Sequence, residues 1–193
     1  MQSSLKALLK ELEAFGRQHD STVADRAGRM LNITPDTGEF LAVLTRAIGA
    51  TRILELGTSN GYSTLWLAEA AGPGALVTTV ELAPEKIALA RTNFARACMQ
   101  ERIRQIEGEA GAYLAGCGDA SVDLLFLDSE RRAYTDWWPQ LARVLRPGGL
   151  IVVDNAISHA QELAPFMQAV REQPGWSGSL VQVGKGQFLA VKH

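Results

Sequence analysis

Two motifs in the second half of the sequence place oxygen-bearing side chains at the ends of apolar segments. Asp128 ends the segment Val122–Asp128, and Asp154 and Asn155 close the segment that begins at Leu150. Two carboxylates and an amide form an all-oxygen set, the kind that binds hard divalent ions such as Mg²⁺. The same side chains could instead orient backbone amides or a ligand, so the spacing alone leaves both a metal site and a structural role open.

A glycine-rich turn, Gly57-Thr-Ser-Asn-Gly61, follows the apolar segment Arg52–Leu56. Glycine lets the backbone turn and approach a ligand closely without a Cβ clash. The spacing differs from the Gly-x-Gly-x-x-Gly of dinucleotide-binding turns, and Glu55 lies within the strand end. Its carboxylate would repel a pyrophosphate but attract a cationic ligand, such as the sulfonium amino acid of S-adenosylmethionine. A tight turn beside an incidental glutamate is the alternative.

Two further strand ends carry residues that suit a nucleoside. Glu81 ends the segment Ala75–Glu81, where a carboxylate can accept hydrogen bonds from both hydroxyls of a ribose. A solvated acid or a helix cap is the alternative role, but the nearby Gly57 turn favours the ribose. Ala110 follows the segment Arg102–Glu107 in a small-residue turn that could admit an adenine or simply begin a helix.

The elements that must position these residues alternate between strand and helix after Ala50, which is typical of a parallel sheet covered on both faces. The predicted strands are Arg52–Leu56, Ala75–Glu81, Arg102–Glu107, Val122–Asp128 and Leu150–Asp154. The predicted helices between them are Tyr62–Ala71, Pro84–Met99, Ala110–Ala115 and Thr135–Leu145. Ligands of such sheets bind outside the carboxyl ends of the strands, where the candidate residues stand.

Both ends of the chain depart from this alternation. The predicted N-terminal helices are Leu5–Phe15, Ser21–Met30 and one from Pro35 to Gly49. After a helix over Ala160–Gln173, the segments Leu180–Val183 and Gln187–Val191 flank Gly184-Lys-Gly186 and predict a hairpin. We therefore expect an α/β, doubly wound, mostly parallel seven-stranded sheet with an antiparallel C-terminal hairpin. We also expect residues 1–193 to form one domain, in which residues 1–49 add helices that pack on or cap the site.

Composition and charge exclude several classes of protein. The 193-residue chain has no apolar run of about 18 residues that would span a membrane. Its first residues lack the basic-then-apolar pattern of a signal peptide, so we expect a cytoplasmic protein without a membrane partner. The net charge of −2 and the absence of a polybasic patch make a nucleic-acid partner less expected.

Together these motifs resemble those of the cation-dependent S-adenosylmethionine O-methyltransferases, which include catechol and caffeoyl-CoA O-methyltransferases and small bacterial relatives. The resemblance is carried by Glu-Leu-Gly-Thr-x-x-Gly-Tyr-Ser at 55–63, with Val-Glu, Leu-Asp and Val-Asp-Asn downstream, and extends from Met30 to Gly186. It implies a Rossmann-like fold, S-adenosylmethionine as methyl donor, and Mg²⁺ or another divalent cation. It also implies a small-molecule hydroxyl acceptor of catechol-like type and, as in bacterial relatives, a homodimer.

The resemblance assigns roles at matching positions. The implied donor-binding residues are Asn32 and Ile33 in a closing segment, Glu55, Gly57 and Ser63 at the amino-acid end, Glu81 at the ribose, Ala110 beside the adenine, and Asp128. The implied divalent-metal ligands are Asp128, Asp154 and Asn155.

One position departs from the family pattern. The lysine that acts as general base in catechol and caffeoyl-CoA enzymes, three residues after the first metal aspartate, is Arg131 here. An arginine stays protonated and cannot accept a proton, although it could stabilise a phenolate or a substrate carboxylate. The predicted catalytic set is therefore Asp128, Arg131 and His159, with His159 as proton acceptor because its pKa lies near working pH. Glu130 is a weaker candidate, and a loop or cap histidine is the alternative for His159.

Two other functions stay open at this level. A nucleotide-binding or NAD-dependent protein of the same fold class is disfavoured by Glu55 and by the missing dinucleotide motif. A tRNA hydroxyuridine O-methyltransferase is disfavoured by the net charge. Trp137, Trp138 and Trp176 could line an acceptor pocket or pack in the core, and packing is favoured.

Overall fold

The computed structural model describes Met1 and residues 3–193. Its helices are α1 (Ser3–Thr22), α2 (Pro35–Ala47), α3 (Tyr62–Ala71), α4 (Pro84–Arg96), α5 (Ala110–Gly116), α6 (Tyr134–Val144) and α7 (Ala160–Glu172). Its strands are β1 (Arg52–Leu56), β2 (Leu76–Glu81), β3 (Ile103–Glu107), β4 (Val122–Leu127), β5 (Leu145–Val153), β6 (Trp176–Val181) and β7 (Gln187–Lys192). Short 3₁₀ turns cover Gln100–Arg102 and Arg131–Ala133.

The seven strands form one sheet in the order β3-β2-β1-β4-β5-β7-β6. All pairs among the first five strands are parallel, whereas β7 pairs antiparallel with both β5 and β6. Chain order reverses between β1 and β4, so the topological switch point, where ligands of such sheets bind, lies between these two strands. The predicted Rossmann-like, doubly wound sheet with its antiparallel C-terminal hairpin is confirmed.

Apolar side chains cover both faces of the sheet, and every residue of β4 is buried. One core contains α1, α3 and α4 residues with strand residues such as Ile53, and the other contains α6 and α7 residues with strand residues such as Leu54. Alternate residues of a strand point to opposite faces, so neighbouring β1 side chains belong to different cores. This packing on both faces fixes where the strands end.

The predicted helix over Ser21–Met30 is wrong. Helix α1 continues to Thr22 and residues 23–34 are irregular, with Leu31 at a φ of 53°. The cause is Asp20, whose carboxylate accepts hydrogen bonds from the backbone nitrogens of Met30 at 2.6 Å and Leu31 at 2.8 Å. A side chain thus satisfies amides that a helix would otherwise pair, and it bends the segment back over α1.

Two strands depart from the prediction by more than one residue. β5 begins at Leu145 rather than Leu150, and β6 covers Trp176–Val181 rather than Leu180–Val183. The β5 extension crosses Pro147 and two glycines, residues that usually mark a turn rather than a strand. Across Met1 and residues 3–193, none of the helices combines the length and apolarity that a membrane span needs.

Candidate active site

The ends of β1 and β4 meet at the Gly57 turn. Gly57 has a φ of 103°, and a Cβ there would overlap the backbone carbonyl of Asp128. Gly61 has a φ of 84°, and a Cβ there would overlap the ring of Phe94. Glycine alone meets both demands without strain, so the motif brings the turn into contact with the residue that follows β4.

Glu55 lies fully buried beneath this turn. Its carboxylate accepts hydrogen bonds from the hydroxyls of Ser63 at 2.5 Å and Thr79 at 2.6 Å, and from that of Thr64. Burial raises the pKa of Glu55 to about 7, and these hydroxyls offset only part of the rise. No described arginine or lysine forms an ion pair with Glu55. The turn therefore rests on an acid whose charge a cationic ligand would stabilise.

Glu81 is anchored at the end of β2. One carboxylate oxygen accepts from the backbone nitrogen of Ser59 at 2.9 Å, which ties Glu81 to the glycine turn. The other accepts from the backbone nitrogens of Leu82 at 2.9 Å and Ala83 at 3.1 Å, just before α4. Glu81 therefore holds the loop between β2 and α4 rather than the first amides of the helix, and its place at a ribose stays a prediction.

The segment that carries Asn32 and Ile33 is joined to the same turn, since the Ser59 hydroxyl donates to the Met30 carbonyl at 2.6 Å. The Asn32 amide, however, donates to the carbonyl of Leu12 at 3.1 Å, and Ile33 is buried in the core. Donor contacts of Asn32 and Ile33 stay a prediction, and we expect their backbone rather than their side chains to make them.

The predicted adenine turn is the start of α5 at Ala110. Glu109 caps this helix by accepting from the backbone nitrogens of Gly111 at 2.7 Å and Ala112 at 2.6 Å. A Cβ at Gly111 would lie 2.5 Å from the indole nitrogen of Trp137, so the indole packs directly on the turn. Trp137 thus packs on the turn that is predicted to receive the adenine.

The three predicted metal ligands converge. The Asn155 amide donates to Asp128 at 3.0 Å and to Asp154 at 3.1 Å, and Asn155 has a φ of 66°, a conformation that asparagine tolerates well. Backbone bonds join the strand ends: the Asp128 nitrogen donates to Leu56 at 3.0 Å, and the Asp154 nitrogen donates to Leu127 at 3.1 Å. The shared sheet edge therefore gathers the oxygen set.

The charges of this cluster are poorly compensated. Desolvation and the negative charge of Asp154 raise the pKa of Asp128 to about 8, although the positive charges of Lys185 and Arg131 oppose the rise. Burial likewise raises the pKa of Asp154, despite a hydrogen bond from the fully buried amide of Gln187. Two acids with raised pKa values at one strand edge are typical of a functional site.

The cluster suits a divalent cation. Among the described residues no group of three or more histidine, cysteine, aspartate and glutamate side chains could hold a metal ion. The set here is instead two carboxylates and an amide, all able to present oxygen if the Asn155 amide rotates by 180°. Hard ions such as Mg²⁺ take a few such ligands plus water and substrate oxygens, and a cation would balance the uncompensated charge.

The predicted catalytic side chains lie around this cluster. The Arg131 guanidinium forms an ion pair with Glu162 at 2.9 Å. His159 precedes α7, with its Nδ1 3.0 Å from the Ser158 hydroxyl, and burial and the charge of Arg131 lower its pKa. The weaker candidate, Glu130, is exposed and caps the short turn that carries Arg131 by accepting from the Arg132 nitrogen at 3.4 Å.

Two residues near the acids were not predicted from the sequence, Gln187 and Lys185. Both follow from β7 pairing with β5, which brings the β6–β7 turn to the edge where Asp154 stands. The available signal was the Gly-Lys-Gly turn itself, which marks the tip of a hairpin.

Two of the tryptophans belong to the core. The rings of Trp138 and Trp176 lie 4.7 Å apart, and Trp138 also contacts Phe166 edge-on at 5.7 Å. Trp176 begins β6 opposite Lys192, at the end of the sheet away from Asp128 and Asp154. Packing against other rings, the role that the sequence favoured, therefore explains both.

Known proteins resemble this chain in sequence and in fold. A family described as O-methyltransferase matches residues 2–192. A catechol O-methyltransferase of Mycobacterium tuberculosis is 35% identical over 164 residues, 78% of this chain and 73% of that protein. One of Niastella koreensis is 33% identical over 146 residues, 74% of this chain and 66% of that protein. The structure of a Bacillus cereus O-methyltransferase in complex with SAH covers all of this chain and 92% of its own, with 26% identity and a TM-score of 0.81.

Proposed function

The chain belongs to the O-methyltransferase family and takes its methyl group from S-adenosylmethionine; on that premise we propose that it methylates a hydroxyl oxygen of a small, catechol-like acceptor with the help of a divalent cation. The observation that carries the proposal is the Asp128, Asp154 and Asn155 cluster, which adjoins the Gly57 turn. The names of the two relatives that share about a third of its sequence support the acceptor class.

The donor is held along the strand ends from β1 to β3. Glu55 supplies a buried negative charge for the amino-acid end, and we expect it to act through the Ser63 hydroxyl because its own oxygens face hydroxyl partners. Gly57, which has no Cβ, lets the donor lie close to the backbone. Glu81 binds the ribose, and the turn at Ala110 binds the adenine. Fixed positioning of both reactants provides most of the rate.

The reaction is an in-line transfer. The bond from methyl carbon to sulfonium breaks as the bond to the acceptor oxygen forms, which leaves S-adenosylhomocysteine, and the hydroxyl proton leaves the acceptor. A divalent cation held by Asp128, Asp154 and Asn155 would supply the positive charge that lowers the hydroxyl pKa.

The remaining chemistry belongs to side chains. Arg131 stays positively charged and stabilises the developing phenolate. His159 takes the proton, because its lowered pKa keeps the imidazole neutral near physiological pH and so able to accept one. The Ser158 hydroxyl, 3.0 Å from Nδ1, holds the ring orientation. The match to the O-methyltransferase family disfavours an NAD-dependent activity. No feature of the described residues favours a tRNA acceptor.

The test is methyl transfer from S-adenosylmethionine to catechol in Mg²⁺ and in EDTA, with S-adenosylhomocysteine binding measured by calorimetry in both. We expect methylated catechol in Mg²⁺, a rate at least about 100-fold lower in EDTA, and donor-product binding that persists in EDTA. Equal rates in the two buffers contradict the cation, and a protein that binds S-adenosylhomocysteine but methylates no catechol contradicts the acceptor class.

A further inference from the structure

The turn between β6 and β7 is fixed beside the acid cluster by its backbone. The Lys185 carbonyl accepts from the backbone nitrogens of Ile157 at 3.2 Å and Ser158 at 3.0 Å, and the Gly186 carbonyl accepts from that of Ala156 at 2.8 Å. These donors lie in the loop that follows Asn155. The position of Lys185 is therefore tied, through three hydrogen bonds, to the segment that carries two of the proposed metal ligands.

The glycines on either side of Lys185 are packed too closely to be replaced. A Cβ at Gly184 would overlap the hydroxyls of Thr34 and Thr37 at the start of α2, and one at Gly186 would overlap Ile157. The Gly184 nitrogen also donates to Asp36 at 2.9 Å. Lys185 is thus a long cationic side chain on a clamped turn, where binding a ligand costs little further backbone entropy.

Lys185 has no acid partner among the described residues, since none of the ion pairs in Met1 and residues 3–193 involves it. Arg131, by contrast, is paired with Glu162. Burial is the largest cause that lowers the pKa of His159; the positive charges of Arg131, Arg26 and Lys185 lower it further, and the negative charge of Glu162 opposes them. The proposed acceptor side is consequently rich in positive charge.

The balance of charge leaves Lys185 for a ligand. In the proposed function a divalent cation balances Asp128 and Asp154, and Glu162 balances Arg131. Lys185 and the exposed Arg26 then have no ion-pair partner in the described part of the chain. Ile157, 43% exposed, packs against the turn at Gly186 and offers apolar surface beside the residue that follows Lys185. An aromatic ring that bears an anionic substituent matches this pairing of apolar and cationic surface.

We infer that Lys185 is a specificity-determining residue that binds a carboxylate on the acceptor, so that hydroxylated aromatic carboxylates are preferred over uncharged catechols. The inference rests on the proposed function, because it names the acceptor of the same site. Its physical content is one charge-assisted hydrogen bond between ammonium and carboxylate, which raises affinity by about tenfold when partly shielded from water.

The test compares catechol with 3,4-dihydroxybenzoate, which differ by one carboxylate. Calorimetry measures the binding of each to the protein saturated with S-adenosylhomocysteine and Mg²⁺, and initial rates are measured with S-adenosylmethionine. We expect the benzoate to bind about tenfold more tightly than catechol. Lys185→Gln should remove that preference and leave catechol affinity within about twofold, Lys185→Arg should keep it, and Lys10→Gln, on the exposed face of α1, should change neither.

The outcomes separate the two ideas. Equal affinities in the unaltered protein, a preference that survives Lys185→Gln, or no binding of either compound overturns the role of Lys185. Methylation of catechol without a carboxylate preference overturns this inference and leaves the proposed function standing. A Lys185-dependent preference without methylation of either compound supports the inference and overturns the proposed acceptor chemistry. Unchanged S-adenosylhomocysteine binding by each variant confirms that it is folded.

Discussion

Strand β4 carries an aspartate near each end, and the two are held in opposite ways. Asp123 accepts from the backbone nitrogens of Thr51 at 3.0 Å and Arg52 at 2.8 Å, and it pairs with the guanidinium groups of Arg52 at 2.7 Å and Arg146 at 2.8 Å. Burial opposes its ionisation, but these donors outweigh burial and lower its pKa well below the usual range. Asp128, just past the other end, accepts from one side-chain donor among the described residues, the Asn155 amide, and its pKa is raised to about 8.

The difference shows how a structural acid is distinguished from a functional one on the same strand. The fold itself supplies the partners of Asp123, which joins the amino ends of β1, β4 and β5. The fold leaves Asp128 and Asp154 without cationic partners within ion-pair distance among the described residues. Carboxylates whose ionisation is opposed by burial are expected where a ligand or a cation supplies the missing positive charge.

The largest effect should come from an acid at the carboxyl edge. Asp154→Asn removes one negative charge from the proposed metal site while keeping the side-chain shape. We expect kcat/KM for catechol in Mg²⁺ to fall at least about 100-fold, with S-adenosylhomocysteine affinity within about threefold. Asp119→Asn is the matched control, since it makes the same change in an exposed ion pair with Arg143. Full activity of Asp154→Asn would show that Asp154, like Asp123, has a structural role only.

A smaller effect, of the opposite kind, is expected at the amino edge. Asp123→Asn should lower the free energy of unfolding by about 2 kcal/mol, less than for a fully buried pair because Arg52 is half exposed, and leave kcat unchanged. Because the pKa of Asp123 is lower in the folded than in the unfolded protein, its stabilisation is full above about pH 4 and is lost as pH falls through the folded-state value. Urea unfolding at pH 7 and pH 3 measures this. A difference between the two proteins that does not shrink at pH 3 contradicts the ion-pair origin.

The smallest predicted effect concerns Glu55, an acid with hydroxyl partners only. Burial raises its pKa to about 7, so its charge, and with it the attraction for the donor amino group, is lost as pH falls. S-adenosylhomocysteine affinity should weaken about tenfold from pH 8 to pH 6. Glu55→Gln should bind more weakly at pH 8 and lose the Glu55 component of the slope. Calorimetry at three pH values measures both, and parallel slopes would assign the titration to another group.

Most of the sheet and the convergence of Asp128, Asp154 and Asn155 could be predicted from the sequence. Each ends an apolar segment, and parallel strands with helical crossovers put their carboxyl ends at one edge. The turn at Gly57 could also be predicted from the sequence, because the spacing of its glycines is visible in a short stretch of chain. A Cβ at these glycines would overlap neighbouring atoms.

The features that the sequence did not predict depend on long-range contacts. The placement of Gln187 and Lys185 required β7 to insert between β5 and β6, and periodicity does not specify strand order. The course of residues 23–34 depends on Asp20, ten residues before the amide of Met30 that it binds. Trp138 and Trp176 read as pocket candidates because aromatic residues suit both pockets and cores, and only the packing of α6, α7 and β6 decides between them.

The most direct test of the contrast along β4 is the Tm of ligand-free Asp128→Asn at pH 7.5, measured beside the unaltered protein. Since the raised pKa of Asp128 means that its charge destabilises the folded state at this pH, the neutral amide should leave Tm unchanged or higher while methyl transfer is lost. A fall in Tm as large as that caused by Asp123→Asn would show that Asp128 is also a structural acid, and would contradict its assignment to the active site.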